Sequence, residues 1–346
     1  MRGRTGWLVV AAMLGGLAAG AAAAQDIKKT IVTGGPSGTY IQIGRDISEA
    51  VASCGLTLDV RESAGSLENF LAVRQRPHTQ FGIVQSDVLE YFKTFEGDDP
   101  AIRRALYGVQ IAFPLYDEEV HVLARRGIET LSDLAGRRVA IGETDSGTFL
   151  TASLILEFAG VAPETVETIG PDASLDALLA GDIDAFFYVA GAPARLFEDE
   201  RIDPERFALL SMADDTLRAV YTPATVPAGT YGWMTEDVSV VAVKAVLMTF
   251  DYDPGRNAYH RESCRAVSEV SHVVVDQFER LKAEGHPKWR EVDLTDIPPG
   301  WRIGECVNRG LDPDFQSACA PAAPAVETEP RVNAVYRERI CAVVGC

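Results

Sequence analysis

The sequence predicts an α/β protein of two lobes with a cleft between them. Three observations predict it. Short apolar runs alternate with stretches of helical periodicity along most of the chain. Two breaks in that rhythm, near 112–116 and 222–230, lie about 110 residues apart. Loops rich in glycine and hydroxyl residues recur where strands pass into helices.

The chain opens MRGRTGWLVVAAMLGGLAAGAAAAQD. Arg2 and Arg4 form a positive start, an apolar stretch follows, and Ala22, Ala23 and Ala24 put small residues at the cleavage positions. This is the pattern of a secretory signal peptide (residues 1–24) cut near Ala24. No cysteine at the cut suggests a lipid anchor, and no later stretch is long and apolar enough to cross a bilayer. Removing Arg2 and Arg4 moves the formal charge from −18 to −20. Such acidity argues against nucleic acid or anionic lipid as partners, yet leaves room for an anionic ligand held by local donors.

KKTIVTGG reads as a buried strand, and GGPSGTY joins it to a helix with Tyr40, Ile43, Ile47 and Val51 on one stripe, capped by Ser37 or Thr39. LTLDVRES alternates like a strand, and Ser66 caps the helix of GSLENFLAVRQR. TQFGIVQSDVLEYF repeats the pattern, with Ser86 or Asp87 opening its helix. EEVHVLARR is a strand, and TLSDLAGRR is a short helix capped by Ser132 and closed by Gly136. RRVAIGETDSGTFLTASLILEFAGV runs strand, loop, helix, and LDALLAGDIDAFFYVAGAPA runs helix, turn, buried strand. Strands and helices at this spacing imply mostly parallel sheets. EDVSVVAVKAVLMTF is a long strand region, and Ala266, Val270, Val273 or Val274 and Phe278 line a helix face. The two breaks fit a middle domain inserted into a discontinuous first one: residues 25–115 and 223–320 as lobe 1, 116–222 as lobe 2, and a tail over 321–346.

All six cysteines survive signal removal, and an even count in an oxidising compartment implies disulfides. None forms a CxxC pair. Of the 15 pairings that six cysteines allow, Cys264–Cys306 with Cys341–Cys346 is favoured, and the connectivity stays open.

Helix N-termini present N–H groups and a positive dipole end, a setting suited to a carboxylate. In the first lobe that points to Ser37, Gly38, Thr39, Tyr40, Ser66, Gln85 and Ser86. In the second it points to Ser146, Gly147 and Thr148, with Val189 and Ala190 as wall or backbone. Tyr116 begins the first crossover and is placed to close over a ligand. Each serine also fits an ordinary helix cap, and each tyrosine a core or rim aromatic.

Other chemistries have less support. GGPSG is not GxGxxG, and no GK[ST] follows it. There is no GxSxG elbow. His78, His121, His260, His272 and His286 make neither HExxH nor a triad order, so neither a metal nor an enzyme is expected. His121 reads as a packed or surface residue, and Asp182 and Asp184 as a solvated strand edge.

Several ordered blocks, TGGPSGTYIQIG, GSLENFLAVRQR, QFGIVQSDVLEYF, LYDEEVHVLAR, LSDLAGRRVAIGETDSGTFLTASLILEFAGV, DIDAFFYVAGAPA and VPAGTYGWMTEDVSVVAVKAVLMT, span about residues 27 to 310. Together they resemble the TAXI family, the solute-binding subunits of tripartite ATP-independent periplasmic (TRAP) transporters. The resemblance implies a type II-like periplasmic-binding-protein fold closing on a small carboxylate such as glutamate, glutamine or a 2-oxo acid. It implies delivery to a TRAP permease, a monomer in the periplasm, no cofactor and no chemistry on the ligand. A ligand-sensing protein that signals to a membrane receptor is the alternative. The tail after about 320 departs from the family pattern and reads as a staple to the first lobe or a partner-binding knob.

Overall fold

The computed structural model describes residues 27–95, 97–318 and 341–342. The stretch expected to be a signal peptide (residues 1–24), Cys319, Cys346 and most of the tail lie outside the described residues.

The first lobe opens with β1 (Ile27–Val32), α1 (Thr39–Val51), β2 (Leu56–Arg61), α2 (Ser66–Gln75), β3 (Thr79–Gln85), α3 (Ser86–Phe95) and α4 (Pro100–Leu106). The long β4 (Val109–Arg125) carries the chain into the second lobe. There follow β5 (Arg138–Ala140), α5 (Gly147–Phe158), β6 (Thr165–Glu167), α6 (Pro171–Ala180), β7 (Ala185–Ala190), β8 (Phe207–Leu209), α7 (Asp215–Arg218) and β9 (Thr222–Val226). β10 (Val238–Phe250) returns, and α8 (Ala258–Asp276), α9 (Phe278–Glu284) and α10 (Glu305–Leu311) cover the first lobe.

One sheet runs through both lobes in the order β2-β1-β3-β10-β4-β7-β5-β6, with β8 on β4 and β9 on β10. Two separate apolar cores cover it. Ile111, Phe113 and Leu115 of β4 belong to the first, with Ile31, Phe81, Val270 and Trp289. Val120, Val122 and Leu123 of the same strand belong to the second, with Val139, Ile155, Phe186 and Val241. β10 divides in the opposite sense: Val240, Val241 and Val243 lie in the second core, and Ala245 to Met248 in the first. Two crossing strands and two cores make this a two-lobed, type II-like binding-protein fold with a cleft between the lobes.

The local signals place the helices well. Tyr40, Ile43, Ile47 and Val51 are all buried, as a 3.6-residue stripe requires. Asp99 caps α4, with Pro100 at the first helical position. A Cys264–Cys306 disulfide ties α8 to α10. Cys54 and Cys341 are disulfide-bonded as well.

Several expectations are corrected. Among the described residues four strand pairings are parallel and five antiparallel, so the sheet is mixed. The antiparallel pairings arise because β4 and β10 each cross the cleft and run against their neighbours. The break near 112–116 is the interior of β4, where a buried strand tolerates a proline. Residues Val226, Tyr231, Met234 and Val240 pack in the second core, so the chain returns within β10 rather than at the proline-rich stretch before it. The turn at 131–134 is a 3₁₀ helix capped by Thr130 with Asp133 in a capping box, not by Ser132. Ser66 is the first residue of α2, and Gly65 holds the cap position. Among the described residues no helix is long and apolar enough to cross a membrane.

Candidate functional site

A cavity of about 290 Å³ lies between the lobes. That is near the lower end of the range for small-molecule sites, about 300–1,000 Å³. The starts of four helices border it: Thr39 and Tyr40 of α1, Ser66 of α2, Gly147 and Thr148 of α5, and Pro171 and Asp172 of α6. A helix leaves its first-turn N–H groups without intrahelical acceptors, so its N-terminus favours an anion.

Ten of the thirteen residues singled out by the sequence border this space: Gly38, Thr39, Tyr40, Ser66, Gln85, Ser146, Gly147, Thr148, Val189 and Ala190. Three do not. Ser37 sits at the rim and donates to Asp172 at 3.0 Å. Ser86 starts α3 outside the cavity wall. Tyr116 is wholly buried in the first core, its ring under Lys288, and does not border the cavity.

Most of the predicted hydroxyls already have structural partners. Ser146 accepts from the Phe149 N–H at 3.0 Å as the cap of α5. Thr148 accepts from the Val189 N–H at 3.1 Å, and Ser66 from the Gln85 N–H at 3.1 Å. Thr39 donates to the Gly191 carbonyl at 2.6 Å, across the lobes. The Leu67 and Glu68 N–H groups of α2 donate to the Asp145 carbonyl at 3.1 and 3.2 Å. The second lobe therefore takes up donors that the sequence assigns to a ligand. What remains around the cavity are the N-termini of α1, α5 and α6.

The lobes are closed on each other. Gly65 has φ +131°, and a Cβ there would stand 3.2 Å from Ser146 Cα. A Cβ on Gly147 would run into the Gln85 amide and come within 2.6 Å of Ser66 Oγ. Glycine at these two points lets the loops of opposite lobes meet.

The electrostatics differ from what a carboxylate site suggests at first sight. No Lys, Arg or His of the described residues borders the cavity, whereas Glu118, Glu143 and Asp172 do. Glu143 and Asp172 are exposed at the mouth. Glu118 is 1% exposed and accepts from the Tyr40 hydroxyl at 2.6 Å. Burial pushes the Glu118 carboxyl well above the usual carboxylate range, and Asp87 and Glu119 add to the shift. Burial likewise raises the phenols of Tyr40 and Tyr188.

Behind Glu118 lies a network that fixes the crossing strand. Lys288 donates to Glu119 and to Glu291, both at 2.6 Å, and Glu119 accepts from the Ala192 N–H at 2.7 Å. His121 donates from Nδ1 to the Glu119 carbonyl at 2.9 Å, and its Nε2 accepts from Tyr231 at 2.9 Å. Burial lowers its pKa to about 4, so it stays neutral and packed, as its place in a strand suggests. Asp184 is held by the Arg138 guanidinium at 2.8 Å, which pulls its pKa down to about 2. Among the described residues no group of three His, Cys, Asp or Glu could hold a metal ion.

Glu118, Tyr188, Glu143 and Asp172 escape the sequence reading. Glu118 left a signal, since DEE interrupts what is otherwise an apolar strand and a buried charge in a strand demands a reason. Tyr188 left none that separates it from a core aromatic.

A cavity shut between two α/β lobes, with helix starts around it, defines the class of two-lobed ligand-binding proteins. The chain belongs to the NMT1-like family, whose model matches residues 31–260. Solved structures similar to it include the periplasmic binding protein BugD, with 11% identity over 72% of this chain and 83% of that one and a TM-score of 0.45. A protein of Bordetella bronchiseptica RB50 shares 15% identity over 91% of this chain and 97% of its own, with a TM-score of 0.49. The alkanesulfonate-binding protein SsuA of Xanthomonas axonopodis pv. citri, bound to MOPS, shares 13% over 83% and 84%, with a TM-score of 0.41.

Proposed function

We propose that this chain is a periplasmic solute-binding protein of the TAXI type. It captures a small carboxylate by lobe closure and delivers it to a TRAP-type secondary transporter without altering it. The observation that carries the reading is the convergence of the α1, α5 and α6 N-termini on one closed space with no cationic side chain among the described residues. Helix ends supply the positive potential there that an arginine supplies elsewhere. The residues proposed to meet the ligand are Gly38, Thr39, Tyr40, Gln85, Gly147, Thr148 and the β7 backbone at Val189 and Ala190.

The carboxylates at the mouth refine the ligand class. Glu143 and Asp172 oppose net negative charge in a ligand and favour an ammonium group that offsets one carboxylate. An α-amino acid of the glutamine or glutamate kind suits that distribution better than a 2-oxo acid does. The N-terminal leader fits export, and an acidic exterior fits a carrier that stays dissolved between encounters.

The test is calorimetric titration of ligand-stripped protein with L-glutamine, L-glutamate, 2-oxoglutarate and a neutral sugar. Binding of the amino acids with the sugar silent supports the reading. Heat from the sugar alone removes the carboxylate assignment.

A further inference from the structure

We propose that Glu118 stands in the cavity as a neutral carboxylic acid and donates a hydrogen bond to the carboxylate of the ligand. The inference rests on reading the cavity as a carboxylate site, and it names a donor there that is neither a helix end nor a cation.

The geometry carries it. Glu118 borders the cavity yet is 1% exposed, and one carboxyl oxygen, Oε2, is taken by the Tyr40 hydroxyl at 2.6 Å. With Tyr40 donating to Oε2, a proton on Glu118 resides on Oε1, leaving an O–H donor for the cavity. A carboxylate at this depth would draw every donor within reach. Tyr116, two residues before Glu118 on β4 and so on the same face of the strand, keeps a buried hydroxyl with no hydrogen-bond partner.

The charges facing Glu118 point the same way. Tyr40 comes from α1, Asp87 from α3, Tyr116 and Glu119 from β4, and Tyr188 from β7. The one cation among them, Lys288, is shared between Glu119 and Glu291 at 2.6 Å each. Asp87 and Glu119 oppose a negative charge on Glu118, and burial opposes it more. A carboxylic acid donating to a carboxylate makes a short, charge-assisted bond, so the acid repels its ligand only once it has lost its proton.

Two measurements decide. The first is the infrared difference spectrum between the wild type and Glu118→Gln at pH 7, without ligand. A protonated-carboxyl band present in the wild type and missing from the variant is expected; no such band overturns the proposal. The second is titration of both proteins with L-glutamine and L-glutamate. The amide of Glu118→Gln keeps a donor and no charge, so affinity within about threefold of wild type is expected, and Glu118→Ala should lose roughly tenfold or more, as for a lost charged-group bond. A loss of tenfold or more in Glu118→Gln shows that the charge itself is required and overturns the proposal. If neither amino acid binds the wild type, the carboxylate reading of the cavity falls and the donor role with it, while the infrared result still reports the state of Glu118.

Discussion

Thr151 on α5 donates a 2.7 Å hydrogen bond to the carboxylate of Asp87 on α3, so the two lobes are tied directly beside the cavity. The bond joins the first helical residues after β3 to the second turn of α5. Asp87 is half-buried there.

That burial has a pH consequence. Burial pushes the Asp87 pKa up to about 6 from 3.8, with the Thr151 bond acting against the shift. A carboxyl with a raised pKa contributes its stability in full below the ordinary value, and loses it as pH rises through about 6. The loss amounts to about 3 kcal/mol at most. Stability in urea should therefore fall between pH 4.5 and pH 7.5, and Asp87→Asn should flatten that fall while keeping the acceptor for Thr151. An identical slope in the variant contradicts the assignment.

Gly147 controls closure. A methyl there meets the Gln85 amide and the Ser66 hydroxyl, both buried. Gly147→Ala should leave each lobe folded but hold the lobes apart, weakening ligand binding by roughly tenfold or more. Small-angle scattering checks the geometry: the variant should stay expanded at ligand concentrations that compact the wild type. Equal compaction would show that the contact is soft.

Lys288 anchors the crossing strand. It is 1% exposed and serves Glu119, which is itself nearly buried. Lys288→Met leaves the Glu119 carboxylate without its cation, at a cost of about 3–5 kcal/mol. Adding Glu119→Gln should recover a large part of that loss. Urea midpoints of the single and double variants measure it, and simple additivity of the two changes speaks against the pair.

The α8–α10 pair depends on its covalent tie. The Cys264–Cys306 bridge closes a sequence separation of 42 residues. Replacing both cysteines with alanine should cost about 2–4 kcal/mol. A change below about 1 kcal/mol in the urea midpoint analysis shows that packing alone holds α10.

Much of this architecture is legible in the sequence because its causes are local. The stripe from Tyr40 to Val51 and the glycine-bounded loops follow from helical period and backbone freedom, and the structure keeps them. The Cys264–Cys306 pairing is also met. What the sequence hides is set by distant contact. Nothing near Leu67 announces that its N–H will go to Asp145 across the cleft. Nothing near Tyr116 says which way β4 turns its ring. The lobe boundary fails for a similar reason: proline at Pro223 and Pro227 marks a break, but the chain changes lobes inside β10, where the strand itself is uninterrupted. Glu118 is the instructive case: DEE in an apolar strand marks it as unusual, but it becomes a cavity wall only when β4 passes between the lobes.

The central claim is that a small carboxylate is held between the lobes, and thermal unfolding of ligand-stripped wild type beside Gly147→Ala tests it most directly. At about 100 times its dissociation constant, a ligand of the folded state adds roughly 2.7 kcal/mol, a rise of several degrees. The account predicts that rise with L-glutamine or L-glutamate in the wild type, little of it in Gly147→Ala, and none with a neutral sugar in either. An equal rise in both proteins would place the ligand outside the cleft, and a rise with the sugar alone would contradict the carboxylate site.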